Sequence, residues 1–232
     1  MAGAIVQTKG NDSGSTSTTI ASGTLASNVT SGNFLMVGAS GATGAVTITL
    51  SQNSGTATIG SWTEQEAQQE SGTGDQSRWF WCQVTGTGSI DILATYGASQ
   101  TGRGISVVEV SGCNAFQASS SQPDTGNNPT PTVTVNVTTQ PAFGVMMGVD
   151  LQGGLMTVGS GWTDQGSTST TDFRCRIQSK AISSTGNTTG NFVNAGFDHN
   201  NSTMLVFTEG SGTPPTGQGR GLTSQTFMSL RR

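Results

Sequence analysis

Apolar residues fall in short runs, rich in β-branched and aromatic side chains and bounded by Gly, Ser, Asn or Pro. Val133, Val135 and Val137 alternate with Thr132, Thr134 and Asn136, the period-two pattern of a strand with one buried face. Ser106-Val107-Val108-Glu109-Val110 and Met204-Leu205-Val206-Phe207 lack that alternation and predict more fully buried strands. Strands are predicted at 4–8, 18–23, 33–39, 45–50, 61–65, 78–84, 89–95 and 104–111, and again at 132–139, 143–150, 161–165, 172–182, 190–197 and 202–208. Many short strands with turn residues between them predict an all-β fold, a two-sheet antiparallel β-sandwich.

The two sets resemble each other. Gly60-Ser61-Trp62-Thr63-Glu64-Gln65 returns as Ser160-Gly161-Trp162-Thr163-Asp164-Gln165. A strand precedes each Trp, at Asn33–Gly38 and Ala142–Gly148, and an aromatic-Cys run follows each, Trp79-Phe80-Trp81-Cys82 and Phe173-Arg174-Cys175. Each set closes on an apolar strand. This reads as a pseudo-repeat of one strand sequence, with halves at about 1–113 and 130–209 and a polar crossover at 114–129. Each half alone has few large apolar side chains, so one shared core is expected. Residues 1–209 form the body. Residues 210–232, opening Gly210-Ser211-Gly212-Thr213-Pro214-Pro215, carry no strand pattern and predict an extended arm.

Composition narrows the function. Charged residues are 9% and apolar residues 32% of the 232, while Ser and Thr together number 66. Thr suits the solvent face of a sheet. No apolar run approaches the roughly 20 residues of a membrane helix, and the start lacks the basic end and apolar stretch of a secretion signal. Net charge is −4, unevenly placed: no acidic residue follows Glu209, while Arg220, Arg231 and Arg232 do. An acidic body argues against nucleic-acid binding; the basic tail suits an acidic partner.

Candidate chemistry is thin. His199 is the single histidine, and no Gly-x-Ser-x-Gly elbow accompanies it, so a turn residue is expected there. Glu64, Glu66, Glu70 and Asp75 fall in one stretch, 64–77; paired carboxylates suit glycoside hydrolysis, but a run of like charges on a loop reads as a solvated face. Asp124–Asn128 and Asp198–Asn201 offer oxygens for calcium without the twelve-residue loop pattern. Cys82, Cys113 and Cys175 are an odd number with no Cys-x-x-Cys pair, which predicts small buried residues in place of a disulfide framework or metal site. In Trp79-Phe80-Trp81 the two tryptophans share one strand face, and burial on both faces is expected. No cofactor is implied.

The order Val6-Gln7-Thr8-Lys9, Ser31-Gly32-Asn33-Phe34-Leu35-Met36-Val37-Gly38, Trp62-Thr63, Trp79-Phe80-Trp81, Val107-Val108-Glu109-Val110-Ser111-Gly112 and Pro131-Thr132-Val133-Thr134 resembles a β-sandwich module of tailed-phage virion proteins and some bacterial surface proteins. The resemblance is diffuse and runs from about Ala4 to Glu209. Within that group the short chain looks most like a capsid cement (decoration) protein with a jelly-roll-like body. The resemblance implies a virion protein made in the host cytoplasm without a signal peptide, with no catalytic residues. The implied partners are the major capsid protein and further copies of the chain, as a trimer or a dimer; neither nucleic acid nor membrane is implied. The arm is then the expected contact: Leu222, Phe227, Met228 and Leu230 fill pockets, and Arg220, Arg231 and Arg232 meet carboxylates. Met1–Lys9 is the second candidate contact. The competing readings are a tail or host-recognition protein gripping surface glycan through loops 64–77 or 114–128, and a glycan depolymerase.

Overall fold

The computed structural model describes residues 1–69, 75–123, 132–150, 156–168, 174–194 and 200–210. Its first half holds β1 (Ala4–Ser13), β2 (Ser17–Ala21), β3 (Phe34–Gly41), β4 (Ile48–Gly55), a short β5 (Thr58–Ile59), β6 (Thr63–Gln69), β7 (Gln76–Gly86), β8 (Ile90–Gln100) and β9 (Arg103–Ser111). Its second half holds β10 (Cys113–Gln122), β11 (Thr132–Val137), β12 (Ala142–Asp150), β13 (Met156–Val158), β14 (Thr163–Ser167), β15 (Arg174–Ile182), β16 (Gly186–Asn194) and β17 (Asn200–Glu209). All strand pairs are antiparallel. The all-β sandwich built from two similar halves is therefore the observed fold.

Each half is itself a two-sheet sandwich. In the first, a sheet ordered β1-β9-β3-β7, with β5 and β6 beyond β7, faces β2-β8-β4. In the second, β10-β17-β12-β15-β14 faces β11-β16-β13. Apart from β5, which has no counterpart, the two orders coincide strand for strand. The agreement extends to irregularities. Pairing slips between Ile5 and Gln7 on β1, and between Phe116 and Ala118 on β10. It slips again after Glu64 on β6 and after Asp164 on β14.

The expected single core is three. One lies inside the first sandwich, with Leu35, Val37, Phe80 and Val107 meeting Ile48, Ile90, Ile92 and Tyr96. Another lies inside the second, with Val133, Val135 and Val137 meeting Met146, Met204 and Val206. The third lies between the halves, where Phe34, Met36, Trp79, Val108 and Val110 meet Phe143, Val145, Met147, Leu205 and Phe207. The physical reason is the period of two. On β3, Leu35 and Val37 point into their own sandwich and Phe34 and Met36 point at the other half. β3 and β12 are consequently buried at every position, so a modest supply of apolar side chains lines three interfaces.

The expected crossover at 114–129 is also corrected. Its residues up to Gln122 belong to β10, the first strand of the second half. Asn114, Gln117, Ser119 and Ser121 hid it from a hydrophobicity reading, because β10 is an edge strand pairing only with β17. The junction of the halves is the single residue Gly112. It sits at φ +73°, and a methyl there would meet the Ala2 carbonyl oxygen at 2.1 Å, so only glycine fits.

The halves are related by a pseudo-two-fold axis. Glu66 of β6 accepts hydrogen bonds from Ser119 (2.5 Å) and Ser121 (2.8 Å) of β10, and Gln68 donates to Ser121. In the counterpart contact, Gly10 of β1 lies against Thr168, just beyond β14. The Phe34 ring at the start of β3 lies tilted 5.1 Å from that of Phe207, which pairs with Phe143 at the start of β12, and further along Gly38 lies against Met147. β3 and β12 thus run the same way, and the axis lies along the strands.

Candidate interaction surface at the pole of Met1 and Gly210

Strand direction decides what gathers at each end of the body. β1, β3, β10 and β12 all start, and β9 and β17 both end, at one pole. The chain start, the junction of the halves and the root of the expected arm therefore meet there. The Met1 ammonium donates to the Gly210 carbonyl at 2.8 Å. The Gly3 amide donates to the Glu209 carboxylate at 3.0 Å, and the Gly210 amide donates to the Gly112 carbonyl at 2.8 Å. Between these groups and the Ser31–Asn33 turn lies a cleft of about 210 Å³, whose floor includes Cys113 and Asn114.

A buried carboxylate organises the first-half side of this pole. Glu109 has no exposed surface. It accepts hydrogen bonds from the Asn33 side-chain amide (2.6 Å), the Gln7 side-chain amide (2.7 Å) and the Thr30 backbone amide (2.9 Å). A buried charge is tolerated when hydrogen-bonded in this way. Three separate chain segments are thereby tied to β9. The signal in the sequence was a lone Glu inside Val107-Val108-Glu109-Val110, which sequence reasoning used only as a strand. Gln7 also clasps Ser27, donating to its carbonyl and accepting from its amide. Gln117 on β10 makes the matching clasp, accepting from the Thr138 and Thr139 amides and donating to the Thr139 carbonyl.

Behind the pole, aromatic rings bridge the halves. Trp81 stacks on Phe116 at 5.2 Å between centroids and 16° between planes, and Phe116 meets Phe207 edge-on at 6.0 Å. Trp79 and Phe80 are buried as expected and Trp81 is half-buried, but the faces belong to different cores: Phe80 to the first sandwich, the tryptophans to the space between halves. Cys82, Cys113 and Cys175 are buried and in no disulfide, as the sequence predicts. Burial pushes the Cys113 thiol up to about 12, with Glu209 pushing the same way and the Met1 ammonium opposing it. Such a thiol is a poor nucleophile.

The remaining sequence candidates scatter. Arg220, Leu222, Phe227, Met228, Leu230, Arg231 and Arg232 lie outside the described residues, as do Glu70, Asp124 to Asn128 and His199. Met1–Lys9 is placed: from Ala4 onward it is β1, paired to β9. Of the stretch 64–77 expected as a loop, residues 64–69 belong to β6 and residues 76–77 to β7, while 70–74 lie outside the described residues. Within it Glu64 binds Arg78, Glu66 binds the β10 serines, and Asp75 is buried. Among the described residues no group of three or more His, Cys, Asp and Glu could hold a metal ion, and the large hydrophobic side chains that are exposed are Met1, Val6 and Val193. Comparison of the chain with protein-family models, with curated proteins and with solved structures gave no match.

Proposed function

We propose that this chain is a structural virion protein, a capsid cement protein that binds the major capsid protein at the shell's outer surface and holds it across subunit joints. The observation that carries the reading is the Met1–Gly210 hydrogen bond. It brings the N-terminal residues, one expected contact segment, beside Gly210, after which the other, residues 211–232, begins in the sequence. The second segment holds four large apolar residues and three arginines, a composition suited to filling pockets and meeting carboxylates. The sides of the body suit the role differently: β11 turns Thr132, Thr134 and Asn136 outward, uncharged groups that leave neighbours unengaged. Read as jelly-roll-like, the sandwich is of a kind frequent in capsid proteins, and this is support at the level of fold analogy. The carboxylates that a depolymerase would need are committed to structure in Glu64 and Glu66.

Deletion of residues 211–232 tests the reading. The truncated chain is expected to fold, to lose binding to shells and to leave particles less heat-resistant. Undiminished shell binding by the truncated chain would overturn the arm assignment. Jelly rolls also occur in lectins, so a glycan-binding tail or host-recognition protein is the second reading. It requires few copies per particle by gel densitometry and retention on host-surface glycan.

A further inference from the structure

The layer between the halves changes character at Gly38. On the side of Met1 its facing rows are apolar, with Phe34, Met36 and Val108 against Phe143, Val145 and Leu205. Alternation carries the same rows on to Ser40, Ser77 and Ser106 in the first half and to Asn201 and Thr203 in the second. All five of these polar residues are buried. Among them lies a void of about 10 Å³, whose lining includes Gly38, Ser40 and Ser106 of the first half and Val149 and Cys175 of the second.

Two side chains with no exposed surface bring polar atoms to this layer that have no hydrogen-bond partner among the described residues: the Trp79 indole nitrogen and the Asn201 amide oxygen. A methyl group on Gly38 would lie 3.3 Å from the Trp79 nitrogen, so the indole N–H comes up to the void at Gly38. Asn201 pairs with Val149, and its amide nitrogen donates to Ser77 at 3.2 Å, while Ser77 pairs with Ser40. Both atoms thus neighbour residues that line the void. We infer that the void is a binding site for one ordered water, which accepts a hydrogen bond from the Trp79 indole N–H and donates to the Ser40 and Ser106 hydroxyls. A void of this size holds a single water, and a buried water makes about three hydrogen bonds to groups that would otherwise go unpaired. An apolar void stays dry, but here an unpaired buried donor is costly and hydroxyls stand beside it. Glycine at position 38 keeps the space open, because the same methyl would also meet the Met147 side chain at 3.1 Å. The site stands apart from the cement reading.

Nuclear magnetic resonance of the full chain with isotope-labelled tryptophan tests the site. The chain holds 4 tryptophans, so its indole N–H signals are assigned by replacing each in turn with Phe. Should Trp79→Phe not fold, the signal that survives Trp62→Phe, Trp81→Phe and Trp162→Phe is that of Trp79. Expected is a nuclear Overhauser cross-peak from the Trp79 indole proton to water, of the negative sign that marks a held water and not a passing one. A crystal structure of the same chain gives the second reading, solvent density within about 3.2 Å of Trp79 Nε1. No cross-peak to water, or a crystal structure in which the indole N–H donates to a protein acceptor or faces an empty void, overturns the proposal.

Discussion

Arg78 of β7 holds Glu64 of β6 at 2.5 Å, and Arg176 of β15 holds Asp164 of β14 at the matching place in the other half. Both pairs sit diagonally across the strands beside the same pairing slip. Sequence comparison alone aligned the Trp-Thr-acid motifs but paired Cys82 with Cys175. The register makes Arg78 the counterpart of Arg176, and Cys82 that of Lys180.

These pairs are only partly shielded, with side-chain exposures of 22% and 37% for Arg78 and Glu64. Partly exposed ion pairs contribute about 0.2–1 kcal/mol. A double-mutant cycle on Arg78→Ala and Glu64→Ala, read by urea denaturation, should give a coupling in that range. It should weaken in high salt.

Glu109 is a different case, because its own carboxylate is fully buried. Glu109→Ala leaves the Thr30 amide, Asn33 and Gln7 without their acceptor. Hydrogen bonds to a charged group are worth about 1.5–3 kcal/mol each and are not additive. A loss of roughly 3–5 kcal/mol is expected from chemical denaturation, with faster hydrogen exchange at Thr30. A loss below about 1 kcal/mol would mean that Glu109 does not organise the pole.

The thiols give the pH dependence. Burial raises Cys82 and Cys113 from 9.0 to about 12, and Cys175 to about 11. The fold therefore favours the neutral thiols, while the unfolded chain releases these protons from about pH 9. Stability from this source is intact below pH 9 and falls as pH rises toward the folded values, by up to ~1.4 kcal/mol per pH unit per thiol. The urea midpoint should drop between pH 8 and pH 10, less so in Cys113→Ser. At pH 8 an aromatic disulfide reagent should react only as the chain unfolds.

The Met1–Gly210 contact allows the chain to be rewired. β17 ends beside the start of β1 much as β9 ends beside the start of β10. A permutant joining Gly210 to Met1, lacking 211–232 and opened at Gly112, should fold with an unchanged circular dichroism spectrum, because the new ends fall where few contacts are cut. Opening the chain within β3 should abolish folding. Failure of the Gly112 permutant alongside a folding truncated chain would show that the junction does more than connect.

Most strands were legible, because alternation and β-branched runs report a half-buried sheet directly. Those missed have reasons. β5 and β13 are two and three residues long, too short to show a period. β10 is polar because its outer edge is held by hydrogen bonds from Gln117 and contacts to Glu66. The number of cores was not legible, since a strand buried on both faces looks like a strand with one very apolar face until its neighbours are known. The pole was hidden for the same reason: Met1, Gly112 and Gly210 are adjacent only once β1, β9 and β17 have paired.

Because β3 and β12 have no solvent-facing side, each serves as a party wall. Loosening one sandwich strips the cover from the middle layer and so exposes the other. The molecule should melt in one step despite its duplicated plan, and a substitution such as Met36→Ala or Met147→Ala, although confined to one repeat, should lower the melting point of both together.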